Sequence, residues 1–221
     1  MTTVVAKSLA LVLAFIATPG MAELRAQDRG LAVLDRAAAR YSGVGALCAD
    51  FVQRLEVPLL DSEHTGSGRL CQAPPNLFAM RFDDPAGDAI VVDGESAWIY
   101  YPSTDPRQVL RTSAERIAGG LDFHREFLED PETKYDVTYE AADAVGGVPT
   151  HRLRLVPKGP AGYRAVVVWI DRGEPVLRRV RIEEENGSVK TITLSNVEFD
   201  ATPGDDWFIF TPPEGALVIS G

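Results

Sequence analysis

The sequence predicts a mainly β protein of one domain, in which a single large antiparallel sheet of about eleven strands curls into an unclosed half-barrel. Strand-like segments follow one another through most of the 221 residues. Several of them alternate apolar and polar side chains, as Leu153 and Leu155 alternate with Arg152 and Arg154. Turn signals such as Asp93-Gly94 and Asn186-Gly187 join them into hairpins. We expect helices to cover the concave face of this sheet.

The first residues predict a secretory signal peptide. Lys7 precedes the apolar run 8–17 (SLALVLAFIA), and a small-residue ending, Gly20-Met21-Ala22, follows it. The apolar run is shorter than the ~20 residues that span a bilayer, which argues against a membrane anchor. We expect cleavage after Ala22, with Ala26 as the alternative, so that residues 1–22 are removed and 23–221 form the domain. No cysteine near the cleavage region could carry a lipid, and we expect a soluble periplasmic monomer.

Two segments predict helices. From Asp28 to about Tyr41, apolar residues recur at helical spacing after an aspartate that can cap the first turn, at Leu31, Leu34, Ala38 and Tyr41. Residues 113–129 also have a helical pattern, which Gly119-Gly120 should weaken and Pro131 should end.

The strands are predicted on both sides of the second helical segment. Those of the first half lie at 46–57, 66–72, 76–82, 88–93, 96–101 and 107–111. Those of the second half lie at 134–140, 150–156, 163–171, 175–185, 187–199 and 207–211.

The two cysteines, Cys48 and Cys71, predict a structural disulfide, because an isolated pair in an exported protein is most simply oxidised. Pairing them across the first two strands places the turn between Leu59 and Leu60. That register also puts the apolar side chains of both strands on one face. A redox role is disfavoured because the pair lacks a C-x-x-C motif.

Charge and motif content exclude several classes of function. The chain has 32 acidic and 22 basic residues, a formal net charge of -10, so that nucleic acids and anionic membrane surfaces should repel it. The three histidines lack metal-binding spacing, and we expect them to be solvated. No nucleophile elbow, phosphate loop or dinucleotide motif occurs. We therefore expect no enzyme activity, no metal and no cofactor.

Aromatic and flexible apolar side chains recur at alternate positions of five consecutive strands. If these positions share the concave face, they form one apolar surface, made of Phe51, Leu55, Leu70, Phe78, Met80, Phe82, Trp98 and Tyr100. Alternation alone leaves two interpretations open, because a closed core and a ligand cavity have the same pattern.

The order of short motifs resembles the periplasmic outer-membrane lipoprotein carrier (LolA) family. After the first helix come Ala49-Asp50-Phe51-Val52-Gln53, Gly66-Ser67-Gly68-Arg69-Leu70, Pro75-Asn76-Leu77-Phe78, Asp93-Gly94 with Trp98-Ile99-Tyr100, and Phe208-Ile209-Phe210 with Pro213-Glu214-Gly215. The resemblance covers nearly all of the chain after residue 22. It implies an unclosed barrel whose apolar concave face is covered by helices.

The resemblance also implies a function and partners. Carriers of this family take triacylated lipoproteins from an ABC exporter in the inner membrane, shield the acyl chains, and pass them to an acceptor lipoprotein at the outer membrane. Shielding is needed because each exposed CH₂ costs about 0.8 kcal/mol in water. The eight apolar residues named above would then line the acyl-chain site, and Phe123, Phe127 and Leu128 would belong to a lid.

The sequence departs from the family where an arginine commonly precedes the proline of an R-P-N-x-F motif and is linked with lid closure. Here Ala73-Pro74-Pro75 stands at that point, and whether Arg69 or Arg81 substitutes is left open. Two other functions also stay open: a carrier of other lipids, and a lipoprotein-sensing regulator of envelope stress on the same fold.

Overall fold

The structure is a computed structural model that describes residues 19–114, 123–204 and 206–221. Its main element is one sheet of twelve strands, β1 to β12 in chain order, whose spatial order is β12-β6-β5-β4-β3-β2-β1-β11-β10-β9-β8-β7. The sheet is unclosed, and helices cover its concave face, so that the predicted fold class is confirmed. The predicted signal run and Gly119-Gly120 lie outside the described residues.

The strands are β1 (Leu47–Val57), β2 (Ser62–Ala73), β3 (Leu77–Asp84), β4 (Ala89–Asp93), β5 (Ser96–Tyr100), β6 (Gln108–Ser113), β7 (Tyr135–Val145), β8 (Val148–Pro157), β9 (Tyr163–Asp171), β10 (Leu177–Glu184), β11 (Val189–Phe199) and β12 (Leu217–Ser220). The α-helices described are α1 (Pro19–Tyr41), α2 (Phe123–Phe127) and α3 (Pro131–Lys134), and a 3₁₀ turn spans Pro58–Leu60. No helix among the described residues has both the length and the apolar character needed to cross a membrane.

The strand predicted at 207–211 is wrong. Residues 206–208 form a turn, and the last strand is β12, which pairs in parallel with β6. The segment around Phe210 instead crosses the outer face of the sheet, where its ring packs on Trp98. Its carbonyl groups at Trp207 and Ile209 accept hydrogen bonds from the Arg81 guanidinium, so they do not need a neighbouring strand.

The predicted disulfide is present, and it lies at the centre of the sheet. Cys48 pairs opposite Cys71 in the antiparallel register of β1 and β2, and both are buried. In this register the 3₁₀ turn Pro58–Leu60 joins the two strands, at the position that the cysteine pairing predicts for the turn. Strand β2 is longer than predicted, because it begins at Ser62.

Helix α1 packs on β7 and begins earlier than predicted. It starts at Pro19, so that Asp28 lies inside the helix and is not its cap. The cause is the run 22–27 (AELRAQ), which consists of strong helix formers after a proline at the first helical position. Gly30 permits the close approach, since a Cβ there would lie 2.8 Å from Val137 Cγ1. The side chains that α1 buries are Val33, Leu34, Ala37 and Tyr41.

Candidate functional site

Five of the eight side chains predicted to line the concave face are buried there in one core cluster. They are Phe51, Leu70, Phe78, Met80 and Phe82. Strand register explains their meeting, because Leu70 lies opposite Met80 across β2 and β3. The rings of Phe51 and Phe82 meet edge to face with centroids 4.9 Å apart. In this state the apolar face is packed rather than empty.

Two glycines of β2 make room for this packing. A Cβ on Gly66 would lie 2.8 Å from the ring of Phe82, and a Cβ on Gly68 would lie 2.0 Å from the carbonyl oxygen of Arg81. Any side chain at either position would displace β3 or the aromatic ring. The motif Gly66-Ser67-Gly68 is therefore explained by close approach of strands rather than by a turn.

Leu55 lies at the edge of the buried cluster. It has the same parity along β1 as Phe51, but it is only half-buried and pairs with His64 near the hairpin tip. Its assignment to the apolar face is consistent with the register, whereas the core cluster ends before it.

Trp98 and Tyr100 lie on the opposite face, so that their predicted place on the concave face is wrong. Across β4 and β5, Trp98 pairs with Val91 and Tyr100 with Ala89, and these partners face away from Met80. Both rings pack against Phe210, each with centroids 5.8 Å apart. The Trp98 indole also donates to Asp93 Oδ2 at 2.8 Å.

The three predicted lid residues, Phe123, Phe127 and Leu128, are buried in the same cluster as the concave face. Helix α2 carries the two phenylalanines, whose rings lie 6.3 Å apart. The ring of Phe127 also contacts Tyr135 of β7 and Tyr163 of β9. The segment therefore covers the sheet with its aromatic side.

A carboxylate fixes the position of α2 over these strands. Tyr163 donates to Glu126 Oε1 at 2.6 Å, and Tyr135 donates to the same oxygen at 2.8 Å. Burial raises the pKa of the Tyr135 hydroxyl far above its ordinary value, and Tyr163 and Glu126 add to that rise. Burial likewise raises the pKa of Tyr163. Both hydroxyls therefore remain protonated donors to Glu126 near neutral pH.

Further polar contacts hold α2 at its edges. Arg125 Nη1 donates to Asn76 Oδ1 at 2.8 Å, in the turn between β2 and β3. Lys134 Nζ donates to the Arg125 carbonyl at 2.6 Å. The His124 ring stacks on Tyr41 of α1 at 5.1 Å, so that this histidine is not the solvated residue that the sequence predicts.

Tyr41 is itself fixed in the core. Its hydroxyl oxygen accepts from the Leu177 amide at 3.1 Å, and burial raises its pKa to about 12.

Neither arginine considered as a substitute for the family arginine contacts α2 in the described structure. On the outer face of the sheet, Arg69 forms ion pairs with Asp50 at 2.9 Å and with Glu198 at 2.8 Å. Arg81 binds the carbonyl groups of the C-terminal segment on that same face. The arginine that does link α2 to the turn after β2 is Arg125, which spacing alone could not identify.

A cavity of about 780 Å³ lies beside α2, between the end of α1 and the turn after β2. Leu47 and Leu128, both members of the buried cluster, line its inner side. Its rim is polar and includes four carboxylates, Asp35, Glu129, Asp130 and Glu132. The cavity thus brings solvent to the border between α2 and the apolar face.

These features define a class of protein: an open β half-barrel with an apolar concave face under short, polar-tethered helices. The chain belongs to the outer membrane lipoprotein carrier protein LolA family, whose model matches residues 42–211. The family resemblance seen in the sequence is therefore confirmed.

Named relatives agree with this assignment, and two solved structures share the fold. The outer-membrane lipoprotein carrier protein of Pectobacterium atrosepticum is 25% identical over 181 residues, which cover 81% of this chain and 83% of that protein. That of Serratia proteamaculans is 27% identical over 186 residues, with the same coverage of both chains. A conserved protein of Thermus thermophilus has the same fold, with a TM-score of 0.54, 16% identity, and coverage of 86% of this chain and 98% of that one. MucB matches with a TM-score of 0.51 and 16% identity over 83% of this chain and 63% of that one.

Proposed function

We propose that the protein is a periplasmic carrier that encloses the acyl chains of lipoproteins against its concave face and conveys them from the inner to the outer membrane. The observation that carries this proposal is the apolar cluster of Phe51, Phe78 and Met80, which is closed by α2 rather than by another strand. Membership of the carrier family supports lipoprotein cargo. An inner-membrane ABC exporter and an outer-membrane acceptor would be its partners.

Cargo binding on this face requires α2 to move. The concave side chains and the α2 phenylalanines fill the same buried space, and acyl chains need that space. The proposed exchange substitutes one apolar contact for another: acyl CH₂ groups replace Phe123 and Phe127 over the sheet. Because each CH₂ transferred from water contributes about 0.8 kcal/mol, long chains can offset the loss of those contacts. Met80 adapts to ligands without a fixed shape.

Photo-cross-linking in cells tests the site directly. A benzoylphenylalanine at Phe78 faces the proposed cargo, whereas one at Val52, 57% exposed on the outer side of β1, serves as the matched control. We expect acylated lipoproteins in adducts at Phe78 and none at Val52, read by mass spectrometry. Free lipids at Phe78 would keep the site and change the cargo. Equal labelling at both positions, or none at Phe78, would contradict the carrier proposal.

The hydrogen bond from Arg125 to Asn76 should slow the movement of α2 away from the sheet. Replacing Arg125 with alanine removes the hydrogen bond to Asn76 while leaving the buried phenylalanines of α2 in place. An exposed, charge-assisted hydrogen bond contributes about 1 kcal/mol, so uptake of a fluorescent fatty acid should become about fivefold faster. Stopped-flow fluorescence measures this rate. Arg107→Ala, which removes an 87% exposed arginine side chain far along the sheet, should leave it unchanged.

A further inference from the structure

Four basic side chains from three separate parts of the chain meet in a cavity beside α1. Arg29 and Arg36 stand two helical turns apart on α1, His151 lies in β8, and Arg172 follows β9. The cavity has a volume of about 640 Å³, and Ala32, Val33 and Asp35 complete its lining. Its lining includes none of the proposed acyl-site residues, and only Val33 joins it to the buried cluster of the concave face.

The cavity has the opposite charge to the chain as a whole. Three arginines face one carboxylate, Asp35, in a protein whose formal net charge is -10. Within the parts of the chain that the structure describes, Arg29, Arg36 and Arg172 form no ion pair, whereas Arg152, Arg154 and Arg178 each do. Three positive charges that converge on one carboxylate leave an excess of positive charge, and like charges repel one another. An anion in the cavity would relieve that repulsion.

Two of the basic groups are held in place by the same tyrosine. The Arg29 guanidinium lies 3.7 Å from the centre of the Tyr139 ring and donates to the Tyr139 hydroxyl at 3.1 Å. The same hydroxyl lies 3.3 Å from His151 Nδ1. The hydroxyl oxygen accepts from Arg29, and its hydrogen is available to Nδ1; in that tautomer the imidazole proton lies on Nε2 and is a further donor.

The protonation of His151 agrees with this arrangement. Burial lowers the pKa of His151, and the positive charges of Arg172, Arg36 and Arg29 lower it further. The histidine is therefore a neutral donor near neutral pH, and the positive charge of the cavity comes from its arginines. This corrects the prediction of a solvated histidine, since the ring is half-buried against Tyr139.

We propose that this cavity binds a phosphate-bearing anion, presented either by a phospholipid headgroup or by a small phosphorylated solute. Guanidinium groups bind phosphate oxygens through paired N–H donors, and three of them can contact one tetrahedral anion from different sides. The small, apolar Ala32 and Val33 leave room for the organic part of the molecule. A headgroup bound here would orient an otherwise acidic carrier at an anionic membrane.

The test separates the two sources of phosphate. The full chain is expressed and the exported protein is titrated with glycerol 3-phosphate, and in parallel with phosphatidylcholine vesicles that contain or lack phosphatidylglycerol. Binding to vesicles that contain phosphatidylglycerol but not to vesicles that lack it, with glycerol 3-phosphate competing for the same site, identifies a headgroup site. Saturable binding of glycerol 3-phosphate without vesicle binding identifies a solute site. Binding of neither probe overturns the proposal.

A charge-matched pair of variants shows whether this cavity is responsible. Arg36→Gln combined with Arg172→Gln should weaken binding at least about tenfold, because two charged donors are lost. Arg107→Gln combined with Arg164→Gln removes the same charge from exposed positions outside the cavity and should bind like the wild type. Arg36→Lys keeps the charge but loses the planar fork, and should weaken binding by an intermediate factor. Equal affinity in both double variants would also overturn the proposal. Thermal unfolding of each variant confirms that it is folded.

Discussion

Replacing Phe127 with alanine should lower the free energy of unfolding by about 3–5 kcal/mol, as for other fully buried aromatic residues. The ring is 0% exposed and contacts Phe123, Tyr135 and Tyr163. Its loss leaves a cavity between α2 and the sheet that the short helix cannot refill, because the contacts of Glu126 hold α2 where it is. Urea unfolding followed by circular dichroism measures the change.

The matched control for this substitution lies on the outer face. Phe210→Ala removes a half-buried ring that packs on Trp98 and Tyr100, and should cost less than half as much stability. The two variants should differ in dye binding as well. Phe127→Ala should bind a fluorescent apolar dye in the folded state, because it leaves an apolar cavity against the concave face, whereas Phe210→Ala should not. Equal losses of stability and equal dye binding would show that α2 does not close the apolar face.

Part of the site could be predicted from the sequence because periodicity and register agree there. In β1 to β3, polar residues such as Asp50 and Arg69 mark the outer face, and so Phe51, Leu70 and Met80 could be placed on the inner one. The cysteine pair added an independent check on the register of β1 and β2. The structure buries these three side chains in one cluster.

The prediction fails where the local pattern does not distinguish the faces. Strand β5 reads Ser-Ala-Trp-Ile-Tyr, which is apolar on both sides, so that alternation could not say which face Trp98 occupies. Its face follows from the register of the β4–β5 hairpin, in which it pairs with Val91. The segment around Phe210 has the composition of a strand, but it packs as a cover on the outer face.

Two features, the contact of Arg125 with Asn76 and the basic cavity beside α1, depend on tertiary structure alone. Arg125 and Asn76 are 49 residues apart, and nothing in either local pattern indicates that they meet. The basic cavity combines a helix, a strand and a turn, so the search for a continuous basic stripe could not reveal it. Net charge predicts the average field of a protein, whereas a binding site depends on the local one.

Removing the disulfide by the double substitution Cys48→Ala and Cys71→Ala should lower the free energy of unfolding by about 3 kcal/mol, the value for a loop of this length in the chain-entropy model. The cysteines are 23 residues apart, and the bond joins β1 to β2 in the middle of the sheet. The double variant is preferable to a single one, which would leave a buried free thiol. Denaturant unfolding with and without a reductant measures the effect.

The size of this loss also reports on the unfolded chain. The cross-link stabilises mainly by restricting the unfolded state, so its effect shrinks if the β1–β2 hairpin persists there. A loss below about 1 kcal/mol would therefore mean that the hairpin stays closed through its own turn, Pro58–Leu60, without the bond. The reductant should destabilise the wild type and leave the double variant unaffected. Fatty-acid uptake under native conditions should be the same in both, because neither cysteine takes part in the contacts described above that hold α2.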